Sequence, residues 1–508
     1  MMKVSGEYVA KLVLKAERGS PRVMAYFLLC LLVFPFAYYL VYSDSITIAA
    51  PVQLSYLVLA ENLARTGSYT YAGTPYTLLP PAVPLVLAAL MKVGLGGLSS
   101  YKALSFISLI LSCIILYTLS LKLSGNKELS LVSAILLASN PIILTHVFDY
   151  FPDVSFLFLV LLWISLLHNG RFNAAAIVAG VSSLARLQGF LLIAFGILYL
   201  VCLKDRKRLI AYAAICAILP LIWGVRNIAV LQSGYGMPLS VIIAQPSLIY
   251  MTGVAYPDIG PSPIIPKPHI LFYFVSAYLI SVIGGFAAIG IFREWNRTKL
   301  MAAFIVFYSL AHVTLLGGMD NIVRHMMPVG ALLCYYAASG LYSALSGIKY
   351  RNLCLMLVIL VLLVAQANIT RLEIRKIELI RQQSLSGIKW LNEHAPKDAV
   401  IADLVQPPHS MIHSHYYSNL TFVYAPQLME AYNPNAKYAL RQLSLEYPLD
   451  DSQLALQDVS EYADYVMAPA DIPTALKGWK AVYNYSVLST SLNGETPFLI
   501  LENPRHES

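Results

Sequence analysis

Residues 188–226 read QGFLLIAFGILYLVCLKDRKRLIAYAAICAILPLIWGVR. Two apolar runs, at 188–203 and 209–226, lie on either side of a basic cluster. The members of this cluster are Lys204, Arg206, Lys207 and Arg208. Long apolar runs joined by a few basic residues are typical of consecutive membrane-spanning helices with a cytoplasmic turn between them. The stretch therefore predicts two adjacent membrane spans.

The composition of the whole chain also indicates a membrane protein. Of its 508 residues, 58% are hydrophobic and only 12% are charged, and the mean hydropathy is +0.65. Soluble domains carry roughly 25% charged residues. Surface-to-volume scaling limits how much apolar area a water-soluble fold can bury. We therefore predict that most of the chain lies in the lipid bilayer.

The net charge of +8 does not indicate nucleic-acid binding. The basic residues lie in short runs between apolar stretches, near the N-terminus and at 204–208, 293–299 and 349–351. This placement follows the positive-inside rule for membrane proteins. The six cysteines lie in or beside apolar stretches without a CxxC spacing, so neither a disulfide framework nor a thiolate metal site is expected.

Twelve apolar stretches extend the pattern along the chain. They lie at 24–43, 81–95, 103–121, 129–147, 154–168, 172–185, 188–203, 209–226, 270–292, 299–317, 327–346 and 352–367. Placing all the basic clusters inside requires that one early stretch does not cross. The candidate is 81–95, which is short and has prolines at its start. We therefore predict an integral cell-membrane protein with about eleven transmembrane helices, its N-terminus inside and its C-terminus outside.

This topology divides the chain into three parts. Residues 1–23 form a cytoplasmic N-terminal segment, 24–367 the transmembrane domain and 368–508 an extracytoplasmic domain. Two long outer loops, 44–102 and 227–269, belong to the transmembrane domain. Long loops in compact proteins are usually functional. The functional site is therefore expected on the outer face.

The extracytoplasmic domain is predicted to be an α/β domain. Residues 371–394 have a helical pattern of apolar and charged residues. Short apolar runs at 399–402, 465–467 and 498–501 indicate β-strands. The predicted fold class is thus a polytopic α-helical membrane protein with a C-terminal α/β soluble domain.

Three arginines lie at the predicted outer boundary, where the positive-inside rule does not account for them. They are Arg186, Arg226 and Arg324. The planar guanidinium group suits bidentate contacts with phosphate oxygens, and a polyprenyl-phosphate headgroup would lie at this level. The alternative is ordinary snorkelling to lipid phosphates. Asn227 and His325 directly follow two of these arginines and are further candidates.

Acidic residues at the same face could act in proton transfer. Asp44 directly follows the first stretch, and transfer of a sugar to a hydroxyl or amine needs a general base. An inverting transfer would place that base opposite the leaving phosphate. Asp153 is expected to assist at the site, and Asp149 to support it. The alternative for each is a solvated acid at the end of a span.

Several motifs together resemble those of a known family. They are YLVLAENLARTG at 56–67, Pro80-Pro81, FPD at 151–153, GVSSLAR at 180–186, WGVRN at 223–227, RHMMP at 324–328 and the stretch 387–400. In this order they resemble the GT-C glycosyltransferases of the protein mannosyltransferase and aminoarabinose transferase-like group (glycosyltransferase family 39-like). The resemblance covers nearly the whole chain.

The resemblance implies a GT-C transmembrane domain and a glycosyltransferase that moves a hexosyl or pentosyl group. The donor would be a polyprenyl-phosphate sugar, such as a dolichyl-phosphate sugar in mannosyltransferase-like members. The acceptor would be a lipid, a glycan or a protein. Arg186, Arg226 and Arg324 would hold the donor phosphate, and Tyr56 and Glu61 on the juxtamembrane helix are further site candidates. No cofactor is indicated, and participation of a divalent metal is left open.

One position departs from the family pattern. The family usually has an acid pair just before the tyrosine of the juxtamembrane helix, and Val52-Gln53 occupies that spacing here. Asp44 is the nearest preceding acid, so either it replaces the pair or the usual base is lost. Two other functions therefore stay open. They are a transporter or flippase for lipid-linked or polar substrates, and a catalytically silent scaffold for the C-terminal domain.

Overall fold

A computed structural model of the chain describes most of the membrane domain and part of the C-terminal domain. The described residues are 51–71, 74–77, 79–148, 152–235, 282–315, 322–397, 399–403, 421–424, 464–469, 480–488 and 495–502. The N-terminal segment 1–23, the stretch 24–43, Asp44, Asp149 and most of the outer loop 227–269 lie outside these residues.

Helices dominate the described part of the chain. They are α1 Pro51–Thr66, α2 Ala82–Lys92, α3 Gly97–Ser124, α4 Lys127–Ala138, α5 Pro141–Phe148, α6 Asp153–His168, α7 Phe172–Ala185, α8 Gly189–Cys202, α9 Arg206–Tyr235, α10 Val282–Glu294, α11 Lys299–Leu315, α12 Ile322–His325, α13 Met327–Ala344 and α14 Arg351–His394. The strands are β1 Thr70–Tyr71, β2 Thr74–Pro75, β3 Val400–Asp403, β4 Thr421–Tyr424, β5 Tyr465–Pro469, β6 Lys480–Leu488 and β7 Glu495–Glu502. Each apolar stretch that falls within the described residues coincides with helix.

The stretch 129–147 was predicted as one apolar run, but the structure divides it into α4 and α5. Asn140 Oδ1 accepts hydrogen bonds from the backbone nitrogens of Ile142 and Ile143, at 3.0 and 3.3 Å. Pro141 is the first residue of α5. An asparagine cap followed by proline starts a new helix, because it satisfies free backbone N–H groups and fixes a helical φ.

Helix α9 also differs from the predicted stretch 209–226. It continues without a break through Pro220 and beyond Arg226 to Tyr235. Arg226 therefore lies inside the helix, and the first residues of the predicted outer loop 227–269 are helical.

Two helical segments among the described residues are long and apolar enough to cross a membrane by length and composition. They are Ser99–Ser124 and Arg206–Val230. In the second, Ile210, Leu221 and Val225 are 69%, 65% and 66% exposed. An outward-facing apolar surface of this kind is unfavourable in water and favourable in lipid. Together with the composition, this surface fits an integral membrane protein.

Contacts between helix ends bring Lys122 and the basic cluster at 204–208 to the same end of the helices α3, α6 and α7. The Lys122 ammonium group donates to the side-chain oxygen of Asn169, which joins the end of α3 to the end of α6. The Arg208 guanidinium carbon lies 5.1 Å from the centre of the Phe172 ring, at the start of α7.

Helix α2 is only about 16 Å long. It is therefore too short to cross a hydrocarbon core of about 30 Å alone.

The strands predicted at 399–402, 465–467 and 498–501 are present as parts of β3, β5 and β7. They form a five-stranded sheet in the order β4-β3-β5-β7-β6, in which β3 is parallel to β4 and β5. Helix α14 passes the predicted domain boundary at 367 and 368 without interruption. Its last turns pack on the sheet through Ile388 and Leu391, next to Ile401 and Ile500.

Helices α10 and α13 pack with their backbones in close contact. A Cβ atom added to Gly290 would overlap the carbonyl oxygen of Tyr336, and one added to Gly340 would overlap that of Phe286. Small residues permit this approach, which is common between helices in membranes. The two glycines therefore fix the distance between α10 and α13.

Replacing Gly290 with alanine is expected to destabilise the protein by about 1–3 kcal/mol, because backbone atoms must move apart. The matched control is Gly285→Ala on the same helix, where an added Cβ meets no atom within 4 Å. That substitution is expected to be neutral or to stabilise by up to about 1 kcal/mol. Thermal unfolding of the two purified variants in detergent checks the difference. Equal unfolding temperatures would contradict the close helix contact.

Candidate functional site

Asp153 is a buried acid at the first position of α6. It is 3% exposed. Its Oδ1 atom accepts a hydrogen bond from Arg186 Nη1 and lies 3.7 Å from Arg324 Nε. Three residues from separate parts of the sequence therefore meet in one ion-pair cluster, which we call the Asp153 cluster. Because a buried carboxylate needs charged or polar partners, the two arginines explain how Asp153 is tolerated there.

The short turn between α7 and α8 positions Arg186. Arg186 has extended backbone directly after α7, with φ −152°. A Cβ atom added to Gly189 would overlap the backbone of Ser182 and Ser183, so the absence of a side chain lets α8 begin against the last turn of α7. The Arg186 side chain is 10% exposed, and its Nε donates to Gln188 Oε1 at 3.0 Å. Its Nη2 makes no hydrogen bond within the described part of the chain.

Arg324 and His325 come from the short helix before α13. The Arg324 side chain is 18% exposed, and its Nη2 lies 3.4 Å from His325 Nε2. The His325 carbonyl oxygen accepts a hydrogen bond from the Tyr308 hydroxyl at 3.1 Å, which joins this segment to α11. Burial first, and then the nearby charges of Arg186 and Arg324, lower the pKa of His325 well below its usual range. His325 is therefore neutral at physiological pH.

An aromatic and histidine layer packs beside the cluster. His312 stacks on Tyr308, with ring centres 6.4 Å apart and planes at 10°. The His325 ring meets His312 edge-on, with ring centres 4.9 Å apart. Tyr56, Tyr101 and Tyr308 lie close enough to Arg186 to interact with its charge. Of these residues, only Tyr56 and His325 were candidates from the sequence.

Glu61 occupies a different environment on α1. Its carboxylate packs against the start of α3, where a Cβ atom added to Gly97 would lie 2.6 Å from Glu61 Oε1. Burial raises the pKa of Glu61, and the nearby charge of Arg65 partly opposes this. A raised pKa is a property that general bases and acids share.

Arg226 and Asn227 hold the segment that follows α1. Arg226 donates through Nη1 to the carbonyl oxygen of Tyr76 and through Nη2 to that of Tyr69, the latter at 3.3 Å. Its guanidinium carbon lies 4.8 Å from the centre of the Trp223 ring. Asn227 Nδ2 donates to the carbonyl oxygen of Thr77 at 3.1 Å. These contacts fasten the β1–β2 hairpin to the last turns of α9.

The structure thus brings together Asp153, Arg186, Arg324, His325 and Tyr56. The contacts of Arg226 and Asn227 described above are with the hairpin segment. His312 was not among the candidates from the sequence, although an ionisable side chain inside the apolar stretch 299–317 is itself a signal. Among the residues that the structure describes, no group of three or more histidine, cysteine or acidic side chains could hold a metal ion.

Two solved structures resemble this chain in fold. No family model and no curated protein matches the sequence. The apo structure of ArnT from Cupriavidus metallidurans matches with a TM-score of 0.60 and 12% identity, over 93% of this chain and 97% of that one. The chain shares the GT-C fold of ArnT.

A second ArnT structure from the same organism, bound to undecaprenyl phosphate, also matches. Its TM-score is 0.58 and its identity 11%, over 94% of this chain and 97% of that one. ArnT is an aminoarabinose transferase of the GT-C superfamily. These two likenesses confirm the GT-C type of fold that the sequence motifs predict.

Proposed function

We propose that this chain is a glycosyltransferase that moves a monosaccharide from a polyprenyl-phosphate-linked donor to an acceptor at the outer face of the cell membrane. The observation that carries the proposal is the buried Asp153 cluster, in which Arg186 and Arg324 converge on one carboxylate. It occurs in a chain with the fold of ArnT, a protein that was solved with undecaprenyl phosphate.

Arg186 is the residue best placed to hold the donor phosphate. Its Nη1 and Nε are used by Asp153 and Gln188, which fixes the plane of the guanidinium group. The remaining Nη2 makes no hydrogen bond within the described residues and can donate to a phosphate oxygen. Charge-assisted hydrogen bonds of this kind are about twice as strong as neutral ones. Arg324 adds a second positive charge to the same cluster.

The reaction needs one nucleophile, one base and stabilisation of the leaving group. The acceptor hydroxyl or amine attacks the anomeric carbon, and the bond from that carbon to the phosphate oxygen breaks. The base takes the acceptor proton, and the products are a glycosylated acceptor and a polyprenyl phosphate. Arginines at the phosphate stabilise the negative charge that develops on the leaving oxygen. The sugar-to-phosphate bond itself supplies the free energy, so no nucleotide sugar is required.

Asp153 and Asp44 have different roles in this proposal. Two adjacent cations favour the charged form of Asp153 and make it a weak proton acceptor. We therefore assign Asp153 to holding the arginines and the substrate in place. Asp44, which lies outside the described residues, is assigned as the base. Asp149, which also lies outside the described residues, is assigned to supporting the site.

Arg226 and Asn227 are assigned to shaping the site. The sequence placed Arg226 among the phosphate-binding arginines. The Arg226 guanidinium group instead donates hydrogen bonds to the carbonyl oxygens of Tyr69 and Tyr76. These bonds favour a role in fixing the β1–β2 hairpin. Asn227 acts on the same segment through Thr77.

Membranes that contain this chain are expected to transfer sugar from at least one radiolabelled polyprenyl-phosphate sugar, and added undecaprenyl phosphate is expected to inhibit as a product. Arg186→Lys keeps the charge but loses the planar fork, so the inhibition constant should rise about tenfold, as for the loss of one charged hydrogen bond. The matched control is Arg208→Lys, an exposed arginine at the opposite end of the bundle.

Failure of transfer from every donor, with folded protein present in the membrane, would contradict the proposal. Lipid translocation assays on the same membranes would then test the flippase or transporter function. Transfer without any inhibition by undecaprenyl phosphate would instead contradict the assigned leaving group.

A further inference from the structure

His312 is a buried histidine that neither the packing nor the proposed reaction explains. It is 1% exposed and lies near the end of α11. Its Nδ1 and Nε2 atoms have no hydrogen-bond partner within the described part of the chain. Buried polar side chains in native proteins almost always have a partner, so an orphaned imidazole requires an explanation. An aromatic ring such as phenylalanine would fill the same space without this cost.

The position of His312 connects it to the Asp153 cluster. Its ring contacts His325, which lies next to Arg324. The charge of Arg186 also acts on His312. His312 therefore lies beside the same group of residues to which the donor phosphate is assigned.

A second orphaned atom lies in the same region. Asp153 Oδ2 is buried and has no hydrogen-bond partner among the described residues, whereas Oδ1 is bound by Arg186. The two orphaned groups are thus an oxygen of the carboxylate that contacts the arginines and an imidazole that contacts His325, the neighbour of Arg324. Two such groups beside one proposed ligand are more simply explained by that ligand than by two independent packing defects.

The chemistry of the two groups selects the part of the ligand that they bind. A carboxylate oxygen only accepts hydrogen bonds, and a neutral imidazole has one donor and one acceptor. An ionised phosphate offers acceptors and negative charge, so it cannot satisfy Asp153 Oδ2. Hydroxyl and amino groups donate hydrogen bonds, and a sugar ring carries several of them. The ligand group expected here is therefore the sugar rather than the phosphate.

We propose that His312 binds the sugar of the donor, by a hydrogen bond to one of its hydroxyl or amino groups, with Asp153 Oδ2 accepting from a second group. This inference rests on the proposed function and adds to it the residue that recognises the sugar. His312 acts in binding and selectivity and takes no proton in the reaction.

The test compares lipids with and without a sugar, on the purified full-length chain. The probes are undecaprenyl phosphate alone and undecaprenyl phosphate linked to glucose, mannose or 4-amino-4-deoxyarabinose. The wild type is expected to bind at least one of the glycolipids more tightly than undecaprenyl phosphate. His312→Phe should weaken that glycolipid about tenfold, as for the loss of one buried hydrogen bond. It should leave undecaprenyl phosphate within about twofold.

Two further variants separate recognition from folding. His312→Gln keeps a donor and an acceptor and should recover part of the glycolipid affinity. His168→Gln is the matched control, because His168 lies at the opposite end of the bundle at the end of α6. The unfolding temperature of His312→Phe should be unchanged or higher, since the substitution removes an unsatisfied buried group.

The following outcomes would overturn the inference. If His312→Phe binds the glycolipid as the wild type does, His312 contacts only water. If it weakens both lipids equally, or lowers the unfolding temperature, the residue serves the phosphate or the fold. If the wild type binds undecaprenyl phosphate and transfers sugar, and His312→Phe does so equally well, this inference fails but the proposed function stands. If the wild type binds none of the four lipids, the proposed function fails as well.

Discussion

Asp153→Asn is expected to destabilise the protein by about 3–5 kcal/mol and to abolish sugar transfer, because it leaves two largely buried guanidinium groups without their carboxylate. Arg186 and Arg324 are 10% and 18% exposed and would then repel each other. Asparagine has nearly the same shape as aspartate, so the change tests charge rather than volume. The measurements are the free energy of unfolding in detergent by denaturant titration, and transfer in membranes.

The control for Asp153→Asn is Asp205→Asn. Asp205 pairs with Arg208 at 3.2 Å, but both side chains are about a third or more exposed, at 33% and 58%. Exposed pairs contribute only about 0.2–1 kcal/mol, so this variant should be nearly as stable as the wild type. Adding Arg324→Gln to Asp153→Asn should recover part of the lost stability by removing one of the two like charges. If Asp153→Asn and Asp205→Asn are equally stable, the cluster contributes nothing to folding.

The apolar stretches predicted most of the helices in the described part of the chain, because a bilayer imposes a strong and local requirement. A span needs about 20 apolar residues, and such runs can be read directly from the chain. The helix boundaries that were predicted wrongly depend on local signals inside these apolar runs. Asn140 and Pro141 end one helix and start another, although both lie within the continuous apolar stretch 129–147. Helix α9 continues past Arg226, because the polar pair Arg226-Asn227 interrupts the apolar run without ending the helix.

The candidate site was only partly predictable. Asp153, Arg186 and Arg324 were each candidates because they lie at the predicted outer boundary, but their meeting depends on how α6, α7 and α12 pack. His312 was missed because one histidine hardly changes the hydropathy of an apolar run. The hydrogen bonds of Arg226 to backbone carbonyls could not be foreseen, because unsatisfied carbonyls leave no trace in a sequence.

The second large effect is expected for Asp44→Asn, which should reduce sugar transfer by about 10²–10⁴-fold with little change in stability. Asparagine cannot accept the acceptor proton, but it has nearly the same shape as aspartate. Binding of undecaprenyl phosphate should be unchanged, because the proposed base acts on the acceptor rather than on the leaving group. Transfer, unfolding temperature and lipid affinity are measured on the same preparation.

Glu61→Gln is the informative comparison for Asp44→Asn. Burial raises the pKa of Glu61, which makes this residue a competing candidate for the base. If transfer survives Asp44→Asn but is lost in Glu61→Gln, the proton goes to Glu61 on the juxtamembrane helix α1. If both variants remain active, Asp153 becomes the remaining acid to test, and its ion pairs with Arg186 and Arg324 must then open during the reaction. Loss in Asp44→Asn alone supports the outer loop as the source of the base and explains why Val52-Gln53 is tolerated.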